Sequence, residues 1–302
     1  MNQLRLLFFA VCLSVLCQLR AAESPVRASL SKPWVWGVEK LSFRRHVQIA
    51  NQHNFYRLDL VQWQAEKNQP PKINFWLHEP KAYGNFSRPI MDFFQLQVNG
   101  ISERQLYIHD ETLRLWENSD NSAGADIQLN FNGAKLLLRW FMRPGSALLH
   151  GLISVAPDSS TVIKDIMVKL QFMPSAIAKD DNGKVLYGNA YARQAITPLR
   201  LLQQNKQAQV LQPEDAYLIL QDTIFDGSSE GKGAGPCYIS FDYQGVQQAR
   251  LNMDNSWLCS LIIELDPAFK SFHFALWQHK NSFSNQEFQQ YFTENRSLFQ
   301  LH

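Results

Sequence analysis

Alternation of apolar and polar residues constrains the fold of this chain more than any other pattern in it. The alternation is clearest over residues 127–131, 166–172, 257–265 and 272–276. A period of two places every second side chain on the same face of a β-strand. Many such runs and few helical ones predict antiparallel strands packed in layers.

Shorter alternating runs predict further strands at 34–39, 56–62, 73–78, 93–98, 105–109, 112–116, 149–155, 216–221 and 237–243. The pair Asn132 and Gly133 follows one run directly and is a strong signal for a tight hairpin turn. The return strand, 135–142, is apolar on both faces, as in a strand that is covered on both sides.

One helix is predicted near the C-terminus. Ser284 and Glu287 have the spacing of a capping box, in which each side chain bonds the other residue's backbone N–H. Phe283 and Phe288 stand at the positions of a hydrophobic staple around this cap. Apolar residues then recur at helical spacing up to Phe299, which predicts a helix that docks on the sheets.

These patterns together predict an all-β fold: a large two-layer antiparallel β-sandwich of the supersandwich type with a C-terminal helix. Residues 34–302 form the sandwich domain in this prediction. The polar stretch 203–214 could connect two halves, so two smaller sandwiches divided near residue 205 stay open as an alternative.

The N-terminal residues 1–22 have the layout of a secretory signal peptide, with a positive start at Arg5, a short apolar run and small residues at Ala21 and Ala22. A membrane-spanning helix needs about 20 apolar residues, and Gln18 and Arg20 end this run early. We therefore expect a secreted or periplasmic protein with no stable membrane span after cleavage, and a short flexible segment at 23–33.

The charge balance argues against nucleic acid as a partner. The chain has 29 Lys and Arg against 27 Asp and Glu, and removal of residues 1–22 takes away Arg5, Arg20 and no acidic residue. A chain with balanced charge has no long-range attraction to polyanions. Composition says nothing about the oligomeric state.

Cys237 and Cys259 remain after signal cleavage, and both alternate in phase with apolar residues. Both side chains are therefore expected to face a core, where burial raises a thiol pKa and disfavours a catalytic role. An oxidising compartment permits a disulfide between them. A disulfide and two buried thiols both stay open.

No strong catalytic, metal or cofactor motif is present. Residues 227–231 match G-x-S-x-G by letters, but a Gly-rich run follows where that motif needs a helix. Residues 180–183 resemble the start of a calcium loop, whose later acidic ligand is missing. We expect no cofactor and no metal.

The outer faces of several predicted strands pair aromatic rings with hydrogen-bonding side chains. A flat ring flanked by polar groups suits a sugar, whose C–H face stacks on the ring while its hydroxyls meet the polar groups. The competing interpretation is that the rings pack beneath loops or the helix. The candidate ligand-binding residues are Trp76, His78, Tyr107, Arg114, Trp116 and Trp277.

A diffuse resemblance covers about the last third of the chain. Residues 222–226, the segment Gly235 to Cys237 and residues 251–257 and 274–277 resemble a group of secreted β-rich bacterial proteins of unassigned function. The overall layout also resembles the large sandwich of the galactose mutarotase and polysaccharide lyase class. The resemblance implies an architecture and carries over no catalytic residue.

Three functions follow as hypotheses. The first is an exported carbohydrate-binding or cell-envelope protein that uses the aromatic faces. The second is a mutarotase-like or lyase-like enzyme, in which a histidine and a carboxylate act as general acid and base. The third is a structural or partner-binding envelope protein. The candidate catalytic residues are His109, His273, His279 and Glu264.

Overall fold

The computed structural model describes residues 25–32, 34–36, 42–63, 72–78, 89–106, 112–174, 192–224, 235–254, 258–278 and 283–302. The strands are β1 (Arg27–Leu30), β2 (Trp34–Trp36), β3 (Ser42–Ala50), β4 (Phe55–Trp63), β5 (Lys72–His78), β6 (Pro89–Val98), β7 (Ile101–Ser102), β8 (Leu113–Glu117), β9 (Ala123–Phe131), β10 (Ala134–Met142), β11 (Leu149–Val155), β12 (Ile166–Phe172), β13 (Arg193–Ile196), β14 (Leu201–Gln203), β15 (Gln209–Val210), β16 (Tyr217–Asp222), β17 (Cys237–Phe241), β18 (Val246–Asn252), β19 (Cys259–Leu265) and β20 (Ser271–Trp277). The described helices are α1 (Asn285–Glu294) and short 3-10 helices at Glu103–Gln105 and Arg296–Phe299.

The described strands form two antiparallel sheets, of eleven and nine strands. The large sheet has the order β1-β3-β4-β5-β6-β12-β19-β18-β15, with β2 beside β3 and β7 beside β6. The small sheet has the order β14-β13-β16-β17-β20-β11-β10-β9-β8. The predicted all-β sandwich with a C-terminal helix is therefore confirmed.

Large aromatic side chains fill the space between the sheets. Phe94 of β6 meets Trp140 of β10 at 5.3 Å and Phe274 of β20 at 6.1 Å between ring centroids. Gly151 pairs in register with both Trp140 and Phe274. A Cβ at this glycine would lie 2.2 Å from Cζ of Phe274, so the missing side chain is what admits the ring. Each buried large side chain contributes about 1.5–3 kcal/mol.

Each sheet contains strands from both sides of residue 205. In the large sheet β12 pairs with β19, and in the small sheet β11 pairs with β20. The polar segment near residue 205 links β14, at the edge of the small sheet, to β15, at the edge of the large one. It is a crossing between layers.

The N-terminal segment differs from its prediction as a short flexible stretch. Arg27–Leu30 forms β1, an edge strand that pairs antiparallel with β3. Val26, just before it, is 3% exposed and joins the core. The burial of this valine and the strand pairing order the segment.

The strand predicted at 105–109 is wrong for the part that the structure describes. Glu103–Gln105 is a 3-10 helix, and the Ser102 side chain accepts a hydrogen bond from the Arg104 backbone N–H. The buried Glu103 carboxylate accepts from the Leu96 N–H at 2.9 Å. These local bonds outweigh the alternation of 105–109. Residues 107–111 lie outside the described residues.

The Asn132–Gly133 turn and the C-terminal helix are as predicted. Asn132 and Gly133 have φ values of 51° and 94°, as a two-residue turn with positive φ at both positions requires. In α1, Ser284 and Glu287 form the capping box in both directions. No helix in the described part of the chain is long and apolar enough to cross a membrane.

Helix α1 and the 3-10 helix after it cover one end of the outer face of the small sheet. Phe288 meets Trp277 at 4.7 Å, and Phe299 meets Tyr238 at 5.2 Å. The Tyr238 hydroxyl donates to the Phe299 carbonyl at 3.0 Å. This second apolar cluster fixes the C-terminal segment, whose last residue, His302, meets His273 of the same sheet at 5.5 Å between ring centroids.

Candidate functional site

The sequence-predicted ligand residues lie on opposite sides of the sandwich. Trp76 and His78 belong to β5 of the large sheet, whereas Arg114 and Trp116 belong to β8 and Trp277 to β20 of the small sheet. Outer faces of two stacked sheets point away from each other, so these two groups cannot share one small ligand. Tyr107, His109 and His279 lie outside the described residues.

Two of the predicted tryptophans are covered. Trp277 is 1% exposed and packs under α1 against Phe288 and Phe283. Trp76 is 5% exposed on the outer side of β5, opposite Asp59 in register. Trp277 therefore offers no ring to a ligand while the helix is docked, because the helix occupies that surface.

Glu264 and His273 are not brought together. Glu264 lies on β19 of the large sheet and forms an ion pair with Arg250 of the neighbouring strand β18. His273 lies on β20 of the small sheet. A general acid–base pair of these two residues is therefore not assembled.

The small sheet instead pairs His273 with His150. Leu152 of β11 stands opposite His273 in register, which makes His150 its diagonal neighbour on the same face. His150 Nδ1 lies 3.1 Å from His273 Nε2, a hydrogen bond between the rings. His150 Nε2 lies 3.4 Å from the Ser146 hydroxyl oxygen, so a polar partner stands at each of its nitrogens.

Both imidazoles are held in the neutral form. Burial lowers the pKa of His150 well below its usual value, and the positive charge of Arg143 lowers it further. Burial, followed by Arg143, lowers the pKa of His273 to about 4. At neutral pH one proton therefore lies between the two rings, and the contact is a neutral hydrogen bond.

The Ser146 hydroxyl links this pair to the C-terminal segment. Its oxygen accepts from the Leu148 N–H at 3.1 Å and lies 3.3 Å from the Leu298 carbonyl, to which the hydroxyl can donate. When it does so, His150 Nε2–H donates to Ser146 and His273 Nε2–H donates to His150. His273 Nδ1 is then an acceptor for a further donor.

Aromatic and charged side chains continue the same face toward β8. Phe141 stacks on His150 at 4.9 Å and meets Trp116 at 5.9 Å. The Arg139 guanidinium lies 4.7 Å from the centre of the Trp116 ring and bonds both carboxylate oxygens of Asp126, at 2.7 and 2.8 Å. This bidentate bond and the ring stack fix the guanidinium.

We call this surface the His150–His273 face. It consists of Trp116, Asp126, Arg139, Phe141, His150 and His273. Gly124 stands in register between Trp116 and Phe141, and a Cβ there would lie 2.1 Å from the Trp140 carbonyl oxygen. A glycine is thus required for the strands to bring these rings together.

A cleft of about 500 Å³ opens beside His273. It lies where the β17–β18 and β19–β20 turns meet the N-terminal end of β20. We call it the His273 cleft. Its lining residues are Asp242, Gln244, Gly245, Asp266, Ala268, Phe269, Lys270, Ser271 and His273. The Asp242 charge raises the pKa of His273, although burial and Arg143 outweigh it.

The described residues include no group of three His, Cys, Asp or Glu side chains that could hold a metal ion. Cys237 and Cys259 are buried thiols rather than a disulfide, and burial raises the pKa of Cys259 to about 12. The described side chains at the site offer hydrogen bonds from carboxylates, an amide, a hydroxyl and neutral imidazoles.

Sequence reasoning missed His150, the Arg139–Asp126 pair, Phe141 and Asp242. In β11, Leu149, Gly151 and Ile153 face the core, and His150 lies on the opposite face. This outward position of His150 could have been predicted from the alternation in the sequence. Its contact with His273 depends on the pairing of β11 with β20, and the two histidines are 123 residues apart in the sequence. Alternation carries no information about which distant strand is the neighbour.

The amino-acid sequence matches no known protein-family profile, and no curated protein sequence matches it. Similar solved structures include a proposed aldose 1-epimerase of Klebsiella pneumoniae, with 7% identity over 92% of this chain and 97% of that chain and a TM-score of 0.40. An aldose 1-epimerase is thus among the structures to which this chain is similar, as the architectural resemblance led us to expect.

Two glycosidases are also among the similar structures. The α-N-acetylgalactosaminidase of Bifidobacterium bifidum has 7% identity over 87% of this chain and 39% of that chain, with a TM-score of 0.43. An α-galactosidase of Geobacillus stearothermophilus has 11% identity over 83% of this chain and 41% of that chain, with a TM-score of 0.36. This chain thus spans about two fifths of the length of each glycosidase.

Proposed function

We propose that the protein is an exported carbohydrate-binding protein whose ligand occupies the His273 cleft next to the His150–His273 face. The observation that carries the proposal is the lining of this cleft. Asp242 and Asp266 supply carboxylates, Gln244 an amide and His273 a neutral imidazole. Sugar hydroxyls both donate and accept hydrogen bonds, and this set offers partners for both roles.

The protonation state of His273 favours binding over acid–base catalysis. An efficient general acid or base has a pKa near the working pH. The pKa of His273 is about 4, and burial lowers the pKa of His150 well below its usual value. Neither ring carries an extra proton that it could donate as a general acid at neutral pH, whereas both can make hydrogen bonds as neutral imidazoles.

The test is a glycan array probed with residues 23–302, followed by calorimetric titration of each retained sugar. We expect His273→Gln and Asp242→Asn to weaken binding about tenfold or more, as loss of a hydrogen bond in a partly buried site costs about 1–3 kcal/mol. Glu264→Gln is the matched control, because Glu264 lies on the other sheet. A protein that retains no glycan, or equal losses in all three variants, would contradict the proposal.

A second candidate function is a carbohydrate-active enzyme of the mutarotase or lyase type. The observation in its favour is that Asp242 acts electrostatically on His273 within one cleft. Polarimetry of freshly dissolved α-D-galactose and α-D-glucose, and absorbance assays for unsaturated products, distinguish the two functions. Catalysis that Asp242→Asn abolishes would replace the binding proposal with the enzymatic one.

Export is a part of the proposal that has its own test. The positive start, the short apolar run and the Ala21-Ala22 pair support cleavage near residue 22. Mass spectrometry of the protein from a bacterial periplasmic fraction is expected to give an N-terminus at Ala22 or Glu23. An unprocessed chain confined to the cytosol would contradict it.

A further inference from the structure

The His273 cleft continues into a second cleft with different chemistry. The second cleft has a volume of about 570 Å³ and shares Phe269 and Lys270 with the first. We call the two clefts together the groove. The other residues of the second cleft are Val155, Ser159, Ser160, Thr161, Val162, Ile163 and Pro267. The groove thus passes from a polar part into a part with apolar side chains and hydroxyl groups.

The wall of the second cleft is held in place by the β9–β10 hairpin. The Ser160 and Thr161 N–H groups donate to the Gly133 carbonyl at 2.9 and 3.2 Å, and the Thr161 hydroxyl donates to the Asn132 carbonyl at 2.9 Å. These bonds fix the 159–163 loop on a tight turn. A preformed wall lowers the entropic cost of binding.

The polar part of the groove has free hydrogen-bonding capacity and a net negative charge. Among the described residues, Asp242 and Asp266 each accept a backbone N–H at Oδ1, at 2.9 and 2.8 Å, which leaves Oδ2 of each for a ligand. Of the described residues that line this part, Lys270 is the one that carries a positive charge, since His273 is neutral. Two carboxylates against one ammonium repel an anionic ligand.

We propose that the groove binds an uncharged oligosaccharide of at least two sugar rings. This inference rests on the proposed function and specifies its ligand. One ring bonds Asp242 and His273, and the next lies with its C–H face on Val155 and Val162, near the hydroxyl of Ser160. A ligand with both hydroxyl groups and apolar C–H faces matches this change along the groove.

The test compares calorimetric affinities for cello-, manno- and galacto-oligosaccharides of one to four units, with oligogalacturonates of the same lengths as charged counterparts. We expect the affinity for at least one neutral series to rise about tenfold from one unit to two and to level off by four. We expect the oligogalacturonates to bind at least about tenfold more weakly, because the carboxylates repel them.

A pair of exposed valines gives matched variants. Val162 lines the second cleft and is 75% exposed, whereas Val210 is 46% exposed on β15, at an edge of the large sheet. Both can be changed to glutamate without disturbing the core. Val162→Glu is expected to remove the gain from the second sugar unit. Val210→Glu is expected to keep both this gain and the monosaccharide affinity.

The possible failures are distinguishable. Sugar binding without a gain from the second unit, an equal effect of the two valine variants, or tighter binding of oligogalacturonates would overturn this inference and leave the proposed function standing. Absence of binding to every neutral and charged probe would overturn both.

Discussion

His150 and His273 illustrate how neighbours, rather than residue type, decide what a side chain can do. Each ring is close to Phe141, and Arg143 adds an unfavourable charge, so neither imidazole is easily protonated. In water a histidine titrates near pH 6.5. On this sheet face the same side chain is a neutral hydrogen-bonding group.

This difference predicts a pH dependence of stability. The pKa of His273 is about 4 in the folded chain, below its usual value, so the unfolded chain binds more protons between those two values. The free energy of unfolding must therefore fall as the pH is lowered from about 6.5 to about 4. For His273→Gln we expect urea titrations to show a fall smaller by about 1 kcal/mol, after allowance for screening of the partly exposed ring.

The control for this prediction is His53→Gln. The His53 ring bonds the side chain of the adjacent, exposed Gln52 and lies outside the His150–His273 face, so its replacement measures what the loss of a histidine elsewhere does to the pH dependence. Nuclear magnetic resonance of the His273 ring gives an independent measure. A ring that titrates near pH 6.5 would contradict the assignment of a neutral pair.

The two core cysteines lead to a second prediction at this scale. Cys259 has a pKa of about 12 because it is buried, so almost none of it is the reactive thiolate at neutral pH. The folded protein without residues 1–22 is expected to be unreactive toward a thiol reagent. In denaturant without reductant, Cys237 and Cys259 are both expected to react. Two unreactive cysteines in denaturant would indicate a disulfide instead.

The alternation of apolar and polar residues predicted the direction in which a side chain points, but not which groups surround it. It placed His273 and Trp277 on the face opposite Phe272 and Phe274, as observed. One of the two then lines a cleft and the other lies beneath α1. The difference depends on where the helix docks, which the local sequence of β20 does not contain.

At the scale of elements, the predictions that rested on strong local signals were correct. The Asn132–Gly133 turn and the Ser284 cap each use a backbone conformation or hydrogen bond that few residues provide. The strand Ser42–Ala50 was missed because Arg44, Arg45 and His46 obscure the alternation that Val47 and Ile49 begin. Pairing with β4 along its whole length stabilises this strand despite its weak pattern.

The helix cap gives an element-scale prediction. Ser284→Ala removes the side-chain oxygen that accepts the Glu287 N–H, and we expect it to lower the free energy of unfolding by about 1 kcal/mol. Hydrogen exchange is expected to accelerate most in the first turn of α1. The matched control is Ser297→Ala, at an exposed serine in the next helical turn, with an expected change below about 0.5 kcal/mol. Equal effects of the two changes would show that the cap contributes nothing.

For the whole molecule, the number of layers was predictable and the strand order was not. Alternating runs require one buried face per strand, and two stacked sheets provide it. The order, however, places β20 between β17 and β11, and β19 between β12 and β18. Such pairings between distant segments depend on side-chain fit across the whole core, which no short window of sequence contains.

Because each sheet combines strands from both sides of residue 205, we expect the protein to unfold as one unit. Circular dichroism and tryptophan fluorescence are expected to give coincident urea transitions, because neither sheet can lose one half of the sequence and persist. Fragments 25–204 and 205–302 are each expected to lack a cooperative transition. Two separate transitions, or a folded fragment, would support the division near residue 205 instead.

The position of β20 also bears on when the protein can fold. This strand is the last of the described strands in the chain, yet it lies inside the small sheet with partners on both sides. A growing chain that has not yet reached residue 277 leaves β11 and β17 without their common neighbour. Long-range pairing of this kind is slow. The small sheet can therefore be completed only after residues 271–277 have been synthesised, so the fold closes late in the making of the chain.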